Sequence, residues 1–306
     1  MSELRVGLVG AGVFAGYHAQ KIAGAADNGV VLSGVYDLNP EAAQAVVDKV
    51  GAGQAVSDLD TLILASDAIM IATPAVTHAQ YVARALRAGR HVFVEKPLAL
   101  SVAEADALVA LAESKDLVLQ VGHQERFVFE AMGVIGAPGK PTYVEAVRES
   151  PRSPTGRCED VSVVYDLMVH DIDLTNALFG GVGEVIGATG SVEHSDHLDQ
   201  VEAKIVYEGG EALLRASRCA PERKRTMKLV YSEGEVEIDF LARTVRNETS
   251  FDVQLDVSET MPDPLKAADE AFFLAAMQKG ASPIPGQAGA RAVALAEAVE
   301  LAVKAS

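Results

Sequence analysis

Positively charged residues are scarce in this 306-residue sequence, which has 26 Lys and Arg against 43 Asp and Glu and a net charge of -17. Nucleic-acid backbones are held by cationic surfaces, so this shortage argues against nucleic acid as a partner. Cysteine is also rare, because Cys158 and Cys219 are the two in the whole sequence. Two cysteines cannot form a disulfide framework and fit a reducing cytoplasm.

Long apolar runs are missing as well. No segment reaches the ~18 unbroken apolar residues that a membrane-spanning helix needs. The first apolar run is interrupted at Gly7, Gly10 and Gly12, so it does not form the hydrophobic region of a signal peptide. We therefore expect neither membrane insertion nor secretion. A composition of 49% apolar and 23% charged residues is typical of a folded enzyme, and the length predicts two domains.

Short apolar runs alternate with helical patterns over residues 1–121. This alternation predicts an α/β domain of the Rossmann type, a doubly wound parallel sheet with helices on both faces. Ser101 and Glu104 form a capping box at the start of one of these helices. The predicted strands are Leu4–Val9, Val30–Tyr36, Ala68–Ala72, His91–Val94 and Leu117–Val121.

The pattern changes near Gly122, after which strands joined by short turns predominate. One helical stretch, Val164–Phe179, interrupts them, and two helical patterns at 264–279 and 289–304 close the chain. Residues 122–306 are therefore predicted to form an α+β domain with a mainly antiparallel sheet, whose last helices are able to pack back on the first domain. Its predicted strands are Thr142–Glu149, Glu184–Val192, Gln200–Tyr207, Ala212–Arg218, Met227–Tyr231 and Glu235–Phe240.

The first predicted strand runs directly into the sequence Gly10-Ala11-Gly12-Val13-Phe14. Gly10 permits a tight turn, and Gly12 lets the backbone approach a pyrophosphate at the N-terminus of the next helix. Asp37 ends the second strand, where a carboxylate accepts hydrogen bonds from ribose hydroxyls and repels a 2′-phosphate. This context predicts a site for NAD rather than NADP. The alternative is a glycine-rich turn before a buried helix.

The tripeptide Glu95-Lys96-Pro97 follows the fourth predicted strand. Ligands of open α/β sheets bind beyond the carboxyl ends of the strands. A lysine held there donates to a substrate hydroxyl oxygen and stabilises developing negative charge. The alternative, which the tripeptide alone favours, is a solvated lysine paired with Glu95.

A second group of polar residues lies in the predicted helix of the second domain. On an α-helix the side chains of Asp166, His170 and Asp173 share one face. A carboxylate beside an imidazole orients it and raises its basicity, as a general base requires. A structural, salt-bridged histidine is an equally good interpretation. A metal site is disfavoured, because a catalytic zinc usually takes three protein ligands.

Together these segments resemble the glucose–fructose oxidoreductase, inositol dehydrogenase and MocA (Gfo/Idh/MocA) family of NAD(P)-dependent oxidoreductases. The resemblance extends over nearly the whole chain, and its most specific motifs are Glu95-Lys96-Pro97 and the Asp166-to-His170 pair in this order. It implies that Lys96 polarises the reacting hydroxyl, that His170 takes its proton and that Asp166 positions this pair. It also implies that the cofactor is lined by Thr73, Pro74, His78, Glu95 and Lys96.

The resemblance further implies an open sheet in the second domain, whose outer face builds homodimers or homotetramers. The stretches 122–127 and 166–173 are similar to those of nucleotide-sugar dehydrogenases, including bacterial enzymes that oxidise the 3-hydroxyl of UDP-N-acetylglucosamine. A diphosphate is best held by bidentate donors, which are Arg side chains. The candidates are Arg126, Arg152 and Arg157, with Arg148 between them in sequence. The alternative is that these arginines lie on a strand and a solvated loop.

We therefore expect an NAD-dependent dehydrogenase, with no metal, that oxidises a secondary alcohol of a sugar, a sugar nucleotide or a cyclic polyol. Two alternatives remain open. The same site would retain NAD throughout a redox-neutral cleavage of a glycoside or an epimerisation. A dinucleotide-binding regulator on the same fold would not catalyse a reaction at all.

Overall fold

The computed structural model describes residues 3–137, 139–261, 263–278 and 280–306. It divides into two compact units. The first consists of the residues up to Gly122 together with Leu265–Ala290, and the second of His123–Pro264 together with Arg291–Ser306. Lys279, the last residue of one predicted helix, lies outside the described residues. Over the described ranges, no helix is long and apolar enough to cross a membrane.

Parallel strands form the sheet of the first unit. Within the described residues these are β1 (Leu4–Val9), β2 (Val30–Tyr36), β3 (Ala68–Ile71), β4 (His91–Val94) and β5 (Leu119–Val121). They pair in the order β2-β1-β3-β4-β5, which confirms the predicted doubly wound sheet. All four residues of β3 are buried, as expected for parallel strands that are covered by helices on both faces.

The helices begin at residues with recognisable N-terminal signals. In the capping box, the Ser101 hydroxyl accepts a hydrogen bond from the Glu104 backbone N–H at 3.3 Å and lies 3.1 Å from the Glu104 carboxylate, which confirms the sequence prediction. Asn39 caps its helix with Pro40 at the first position. In chain order the described helices are α1 (Val13–Gly24), α2 (Pro40–Val50), α3 (Leu59–Ala65), α4 (His78–Arg87), α5 (Val102–Ser114), α6 (Glu125–Met132), α7 (Val169–Phe179), α8 (Pro264–Gln278) and α9 (Gly286–Ala305).

The second unit contains a seven-stranded sheet, counted over the described residues. Its strands are β6 (Tyr143–Glu149), β7 (Glu184–Ser191), β8 (Gln200–Tyr207), β9 (Gly210–Ser217), β10 (Lys224–Tyr231), β11 (Gly234–Asp239) and β12 (Thr244–Asn247). They lie in the order β12-β11-β10-β6-β9-β8-β7. Neighbours pair antiparallel except β6 and β9, which pair in parallel. The mainly antiparallel α+β unit is thus confirmed.

Burial alternates along the strands of this second sheet. In β6 the side chains of Val144, Ala146 and Arg148 are buried, whereas the intervening residues are only partly covered. Such alternation marks a sheet with one face against the core and the other exposed. Helix α7 contacts β6 and β9, so the buried face is the one toward α7. We call it the inner face, and the opposite one the outer face.

Candidate functional site

The glycine loop after β1 has the geometry that a phosphate-binding turn requires. Gly10 has a φ of +105°, and a Cβ at this position would lie 2.5 Å from the carbonyl oxygen of Ala72, so only glycine fits. Gly12 precedes α1, and no side chain of the described residues caps the N-terminus of that helix. A Cβ at Gly12 would meet nothing within 4 Å. The start of α1 therefore has the form of a helix N-terminus that binds an anion.

Asp37 joins this loop to the end of β2. One oxygen of its carboxylate accepts a hydrogen bond from the Ala11 N–H at 2.7 Å, and the other accepts from the Asn39 N–H at 2.8 Å. Each oxygen keeps a further lone pair for a ribose hydroxyl. A negative group at this position disfavours a 2′-phosphate. The residues of the first unit therefore fit NAD.

Two carboxylates hold one buried imidazole beneath the Glu95-Lys96-Pro97 segment. The Nε2 atom of His18 lies 3.1 Å from Glu95, and its Nδ1 atom lies 2.9 Å from both oxygens of Asp269. The residues come from α1, the end of β4 and α8, and the imidazole is fully buried. Sequence reasoning missed this cluster, although a charged residue among the apolar side chains of α8 was a usable signal.

The charge of His18 is stabilised within this cluster. Burial opposes the charged form, but the charge and hydrogen bonds of Asp269, followed by those of Glu95, outweigh burial and raise the pKa of His18 to about 10. Although burial acts in the opposite direction, the hydrogen bond and charge of His18 lower the pKa of Glu95. Glu95 is therefore held as a carboxylate directly beside Lys96. Gly122 leaves room for it, since a Cβ there would lie 2.9 Å from the Glu95 carboxylate.

The residues around Lys96 are fixed by backbone contacts in the same unit. Lys96 is half-buried, and its peptide bond to Pro97 is cis. The Nδ1 atom of His78 lies 2.6 Å from the Pro97 carbonyl oxygen, and its Nε2 atom lies 2.9 Å from the Thr73 carbonyl oxygen. His78 thus ties the segment after β4 to the segment after β3. Pro74 precedes a short 3₁₀ turn that leads into α4.

In the second unit, Asp166 and His170 do not lie on one uninterrupted α-helix. The sequence predicts an α-helix over Val164–Phe179, but Val164–Met168 forms a π-helical turn, and α7 begins at Val169. The prediction of α-helical spacing between Asp166 and His170 was therefore wrong. A π turn shifts the hydrogen-bonding pattern to i→i+5, and such turns occur frequently at functional sites.

Glu125 is the acidic neighbour of His170 that sequence reasoning missed. Its carboxylate lies 3.6 Å from the Nδ1 atom of His170, and both side chains are largely but not wholly buried. The same carboxylate accepts hydrogen bonds from Arg148 at 2.6 and 2.9 Å. Arg148 also donates to Asp171 at 2.8 and 3.0 Å. His170 therefore borders a buried network of charged residues.

The arginines singled out in the sequence have different surroundings. Arg126 donates two hydrogen bonds to Asp173, at 2.6 and 2.7 Å. Arg148 is wholly buried between Glu125 and Asp171. Arg152 and Arg157 are exposed, and Arg152 pairs with Glu159 at 2.8 Å. No group of three or more His, Cys, Asp or Glu side chains able to hold a metal ion occurs among the described residues.

A doubly wound sheet with an open helix N-terminus and an acidic residue after β2 defines a dinucleotide-binding protein. Residues 4–123 match an oxidoreductase family with an NAD-binding Rossmann fold, and residues 135–237 match the Gfo/Idh/MocA C-terminal domain. The chain belongs to the Gfo/Idh/MocA family of oxidoreductases. It is an NAD-binding enzyme, and its family includes dehydrogenases named for sugar and polyol substrates.

Similar proteins cover essentially the whole chain. A UDP-N-acetylglucosamine 3-dehydrogenase from Acidithiobacillus ferrooxidans is 33% identical over 100% of this chain and 99% of its own, and its solved structure has a TM-score of 0.87. An inositol 2-dehydrogenase from Rhizobium meliloti is 28% identical, with 96% and 95% covered. The scyllo-inositol dehydrogenase from Lactobacillus casei, solved with NAD(H) and scyllo-inositol, shares the fold at 19% identity, 99% and 98% coverage and a TM-score of 0.79.

Proposed function

We propose that this enzyme oxidises a secondary alcohol of a sugar nucleotide, with the 3-hydroxyl of UDP-N-acetylglucosamine as the first candidate. The observation that carries the chemistry is Lys96, which follows a buried carboxylate at the carboxyl end of β4 in a dinucleotide-binding sheet. The full-length similarity to a UDP-N-acetylglucosamine 3-dehydrogenase supports the choice of substrate. Residues 1–121, completed by Leu265–Ala290 of the same unit, bind NAD in this proposal, and the remainder of residues 122–306 binds the substrate.

Lys96 and His170 both act on the reacting hydroxyl group in this proposal. Lys96 donates a hydrogen bond to the hydroxyl oxygen and stabilises its developing negative charge. His170 accepts the hydroxyl proton, Asp166 positions this pair, and the Glu125 carboxylate lies near the Nδ1 atom of His170. Bound NAD supplies the hydride acceptor. The alcohol loses a hydride from carbon and a proton from oxygen, and a ketone results.

NAD is held by the first unit in this proposal. Gly10 and Gly12 bring the backbone close to its pyrophosphate, and Val13 and Phe14 supply N–H groups at the start of α1. Asp37 accepts the ribose hydroxyls. The residues that line the remainder of the cofactor are Thr73, Pro74, His78, Glu95 and Lys96.

Substitution of Lys96 or His170 tests these roles. We expect Lys96→Ala and His170→Ala each to lower kcat by about 10²- to 10⁴-fold, since each removes one group that acts in the transition state. NAD should still bind to both variants when its affinity is measured by calorimetry. The matched controls are Lys115→Ala and His197→Ala, which remove exposed side chains of the same types. Parent-like turnover in either active-site variant would refute its role.

A cyclic polyol is the second candidate substrate, because inositol 2-dehydrogenases are similar over most of the chain. Formation of NADH from UDP-N-acetylglucosamine, N-acetylglucosamine and myo-inositol separates the two. A higher kcat/KM with myo-inositol would replace the sugar-nucleotide proposal. NAD that co-purifies with the enzyme and is not released during turnover would favour the redox-neutral reaction.

We further infer that the enzyme works in the cytoplasm as a homodimer or homotetramer assembled through the outer face of the second sheet. Half-exposed apolar side chains on the central strands of that face support this assembly. They are Tyr143, Val147, Leu213 and Val230.

A further inference from the structure

We propose that Arg225 is the anion-binding residue of the second unit and takes the diphosphate of the substrate. The inference rests on the proposed sugar-nucleotide function, and it assigns the diphosphate to a residue outside the arginines that stand out in the sequence. It depends on the place of Arg225 in the sheet, on the partners of its neighbour and on the absence, among the described residues, of a hydrogen bond or ion pair to its own guanidinium.

Arg225 lies directly opposite Arg148 on the inner face of the sheet. The two residues are cross-strand partners on β10 and β6. The buried residues of β10 are Met227, Leu229 and Tyr231. Because side chains alternate along a strand, Arg225 lies on the same side of the strand as these three. Side chains at paired positions are close neighbours, and two like charges there are unfavourable.

Arg148 makes hydrogen bonds to the nearby carboxylates. Its guanidinium makes two hydrogen bonds to Glu125 and two to Asp171, and it lies over the ring of Phe240 at 5.7 Å. No hydrogen bond or ion pair of the Arg225 side chain is found among the described residues, although the side chain is half-buried. Burial, followed by the charge of Arg148, lowers the pKa of Arg225, although the charges of Glu125 and Asp171 act in the opposite direction. A half-buried guanidinium whose N–H groups make no hydrogen bond costs free energy of folding, so its presence here favours a ligand.

A phosphate or diphosphate matches this position in charge and shape. The planar guanidinium presents paired donors that fit phosphate oxygens, which an exposed lysine does not. Arg223 and Lys224 precede Arg225 and are exposed, so two further cations adjoin it in a protein of net charge -17. Arg148 and Glu125 connect Arg225 to His170 through contacts in one unit. The anion site therefore adjoins the network that borders the proposed general base.

The experiment compares Arg225→Ala with Arg223→Ala in the full-length enzyme saturated with NAD, so that added UDP cannot occupy the dinucleotide site. Calorimetric titration with UDP should give a Kd about 10- to 100-fold higher for Arg225→Ala, the range expected for hydrogen bonds to a charged group. Arg223→Ala should change this Kd less than about threefold, because its side chain is exposed. Arg225→Lys, which keeps the charge without the paired donors, should fall between the parent and Arg225→Ala.

Thermal unfolding separates an anion site from a structural role. Removal of a guanidinium that makes no hydrogen bond within the described parts of the chain should leave the Tm of Arg225→Ala unchanged or about 1–3 °C higher. A structural arginine would instead lower the Tm on removal. A lowered Tm, parent-like UDP binding in Arg225→Ala, or equal weakening in Arg223→Ala would overturn the proposal.

Two further readouts distinguish this proposal from the proposed function. If pyrophosphate and UDP bind through Arg225 but UDP-N-acetylglucosamine is not oxidised, the anion site stands and the substrate assignment fails. If UDP-N-acetylglucosamine is oxidised with the same KM in Arg225→Ala, the function stands and the anion site fails. If the anion site and the proposed function are both correct, Arg225→Ala has a higher KM for UDP-N-acetylglucosamine and keeps the parent kcat.

Discussion

Single carboxylates in this enzyme serve more than one partner. Asp37 fixes the glycine loop through the Ala11 N–H and keeps lone pairs for a ribose. Glu125 holds Arg148 and also lies beside His170. Substitution of either residue therefore changes both a structural contact and a ligand-facing charge, and the more informative variants alter the charge alone.

Asp37→Asn changes the charge of the NAD site while it keeps a side-chain oxygen as acceptor. We expect kcat/KM with NAD to fall about tenfold or more and the preference for NAD over NADP to shrink, because the carboxylate no longer repels a 2′-phosphate. The measurement is kcat/KM with each cofactor at a fixed substrate concentration. Asp106→Asn, an exposed substitution on α5 with the same charge change, is the control. An unaltered ratio would contradict the role of Asp37.

Three elements of the first unit meet at His18. Helix α1 carries the imidazole, the end of β4 supplies Glu95 and α8 supplies Asp269. Because all three side chains are buried, removal of the imidazolium leaves two carboxylates without their cation. The cluster therefore couples the helix that follows the glycine loop to the segment that carries Lys96.

His18→Gln should lower the free energy of unfolding by about 3–5 kcal/mol at neutral pH, as expected when one partner of a buried ion pair is removed. The pKa of His18 is raised to about 10 in the folded state, so its contribution to stability is complete below the ordinary pKa near 6.5 and is lost as the pH rises through 10. The parent enzyme should therefore lose stability from about pH 7 to about pH 10, by at most about 1.4 kcal/mol per pH unit from this group.

Urea denaturation followed by circular dichroism at several pH values in this range measures the effect. The slope that His18 contributes should be absent in His18→Gln and retained in His197→Gln, which alters an exposed histidine. Parallel pH profiles for the parent and His18→Gln would show that His18 does not carry a charge in the folded state.

Elements with a clear local signal were predictable from the sequence. All five strands of the first sheet were found because buried parallel strands appear as short apolar runs. The parallel pairing of β6 with β9 was not predictable, because a strand pattern specifies which residues are buried but not which strand lies beside it. Helix α6 was also missed, although its N-terminal residue is Glu125, the neighbour of His170.

Side-chain partners were harder to predict than elements. The π turn at Val164–Met168 shifts the hydrogen bonds by one residue without any change in composition, so it left no signal in the sequence. The ion pairs of Arg126 and Arg148 join residues 47 and 23 positions apart. Sequence proximity had grouped the arginines with one another, whereas folding paired these two with Asp173 and with Asp171 and Glu125.

At the scale of the whole molecule, the proposed assembly depends on the outer face of the second sheet. Its apolar side chains lie next to a ladder in which Arg215 pairs with Glu145 and Glu202. Apolar residues combined with fixed charge pairs are suited to contact with another copy of the same surface. The net charge of -17 otherwise keeps separate molecules apart.

Leu213→Glu should convert the assembly into single chains, because it introduces a charge at the centre of the outer face. Light scattering after size-exclusion chromatography should give at least twice the 32.1 kDa of one chain for the parent and 32.1 kDa for the variant. Leu241→Glu, which alters an exposed leucine in the turn after β11, should leave the mass unchanged. A parent enzyme that runs as one chain would disprove the assembly.

The first unit is discontinuous in sequence, and this has a consequence for its synthesis. Asp269 belongs to Leu265–Ala290, which the ribosome makes only after all the residues of His123–Pro264. Until then, His18 cannot form its hydrogen bond to Asp269. The side chain of Gln120 likewise cannot donate to the carbonyl oxygen of Ala268. A nascent chain of which only the first 122 residues have left the ribosome therefore has an incomplete first unit. Leu265–Ala290 has to be synthesised before the first unit reaches its final stability.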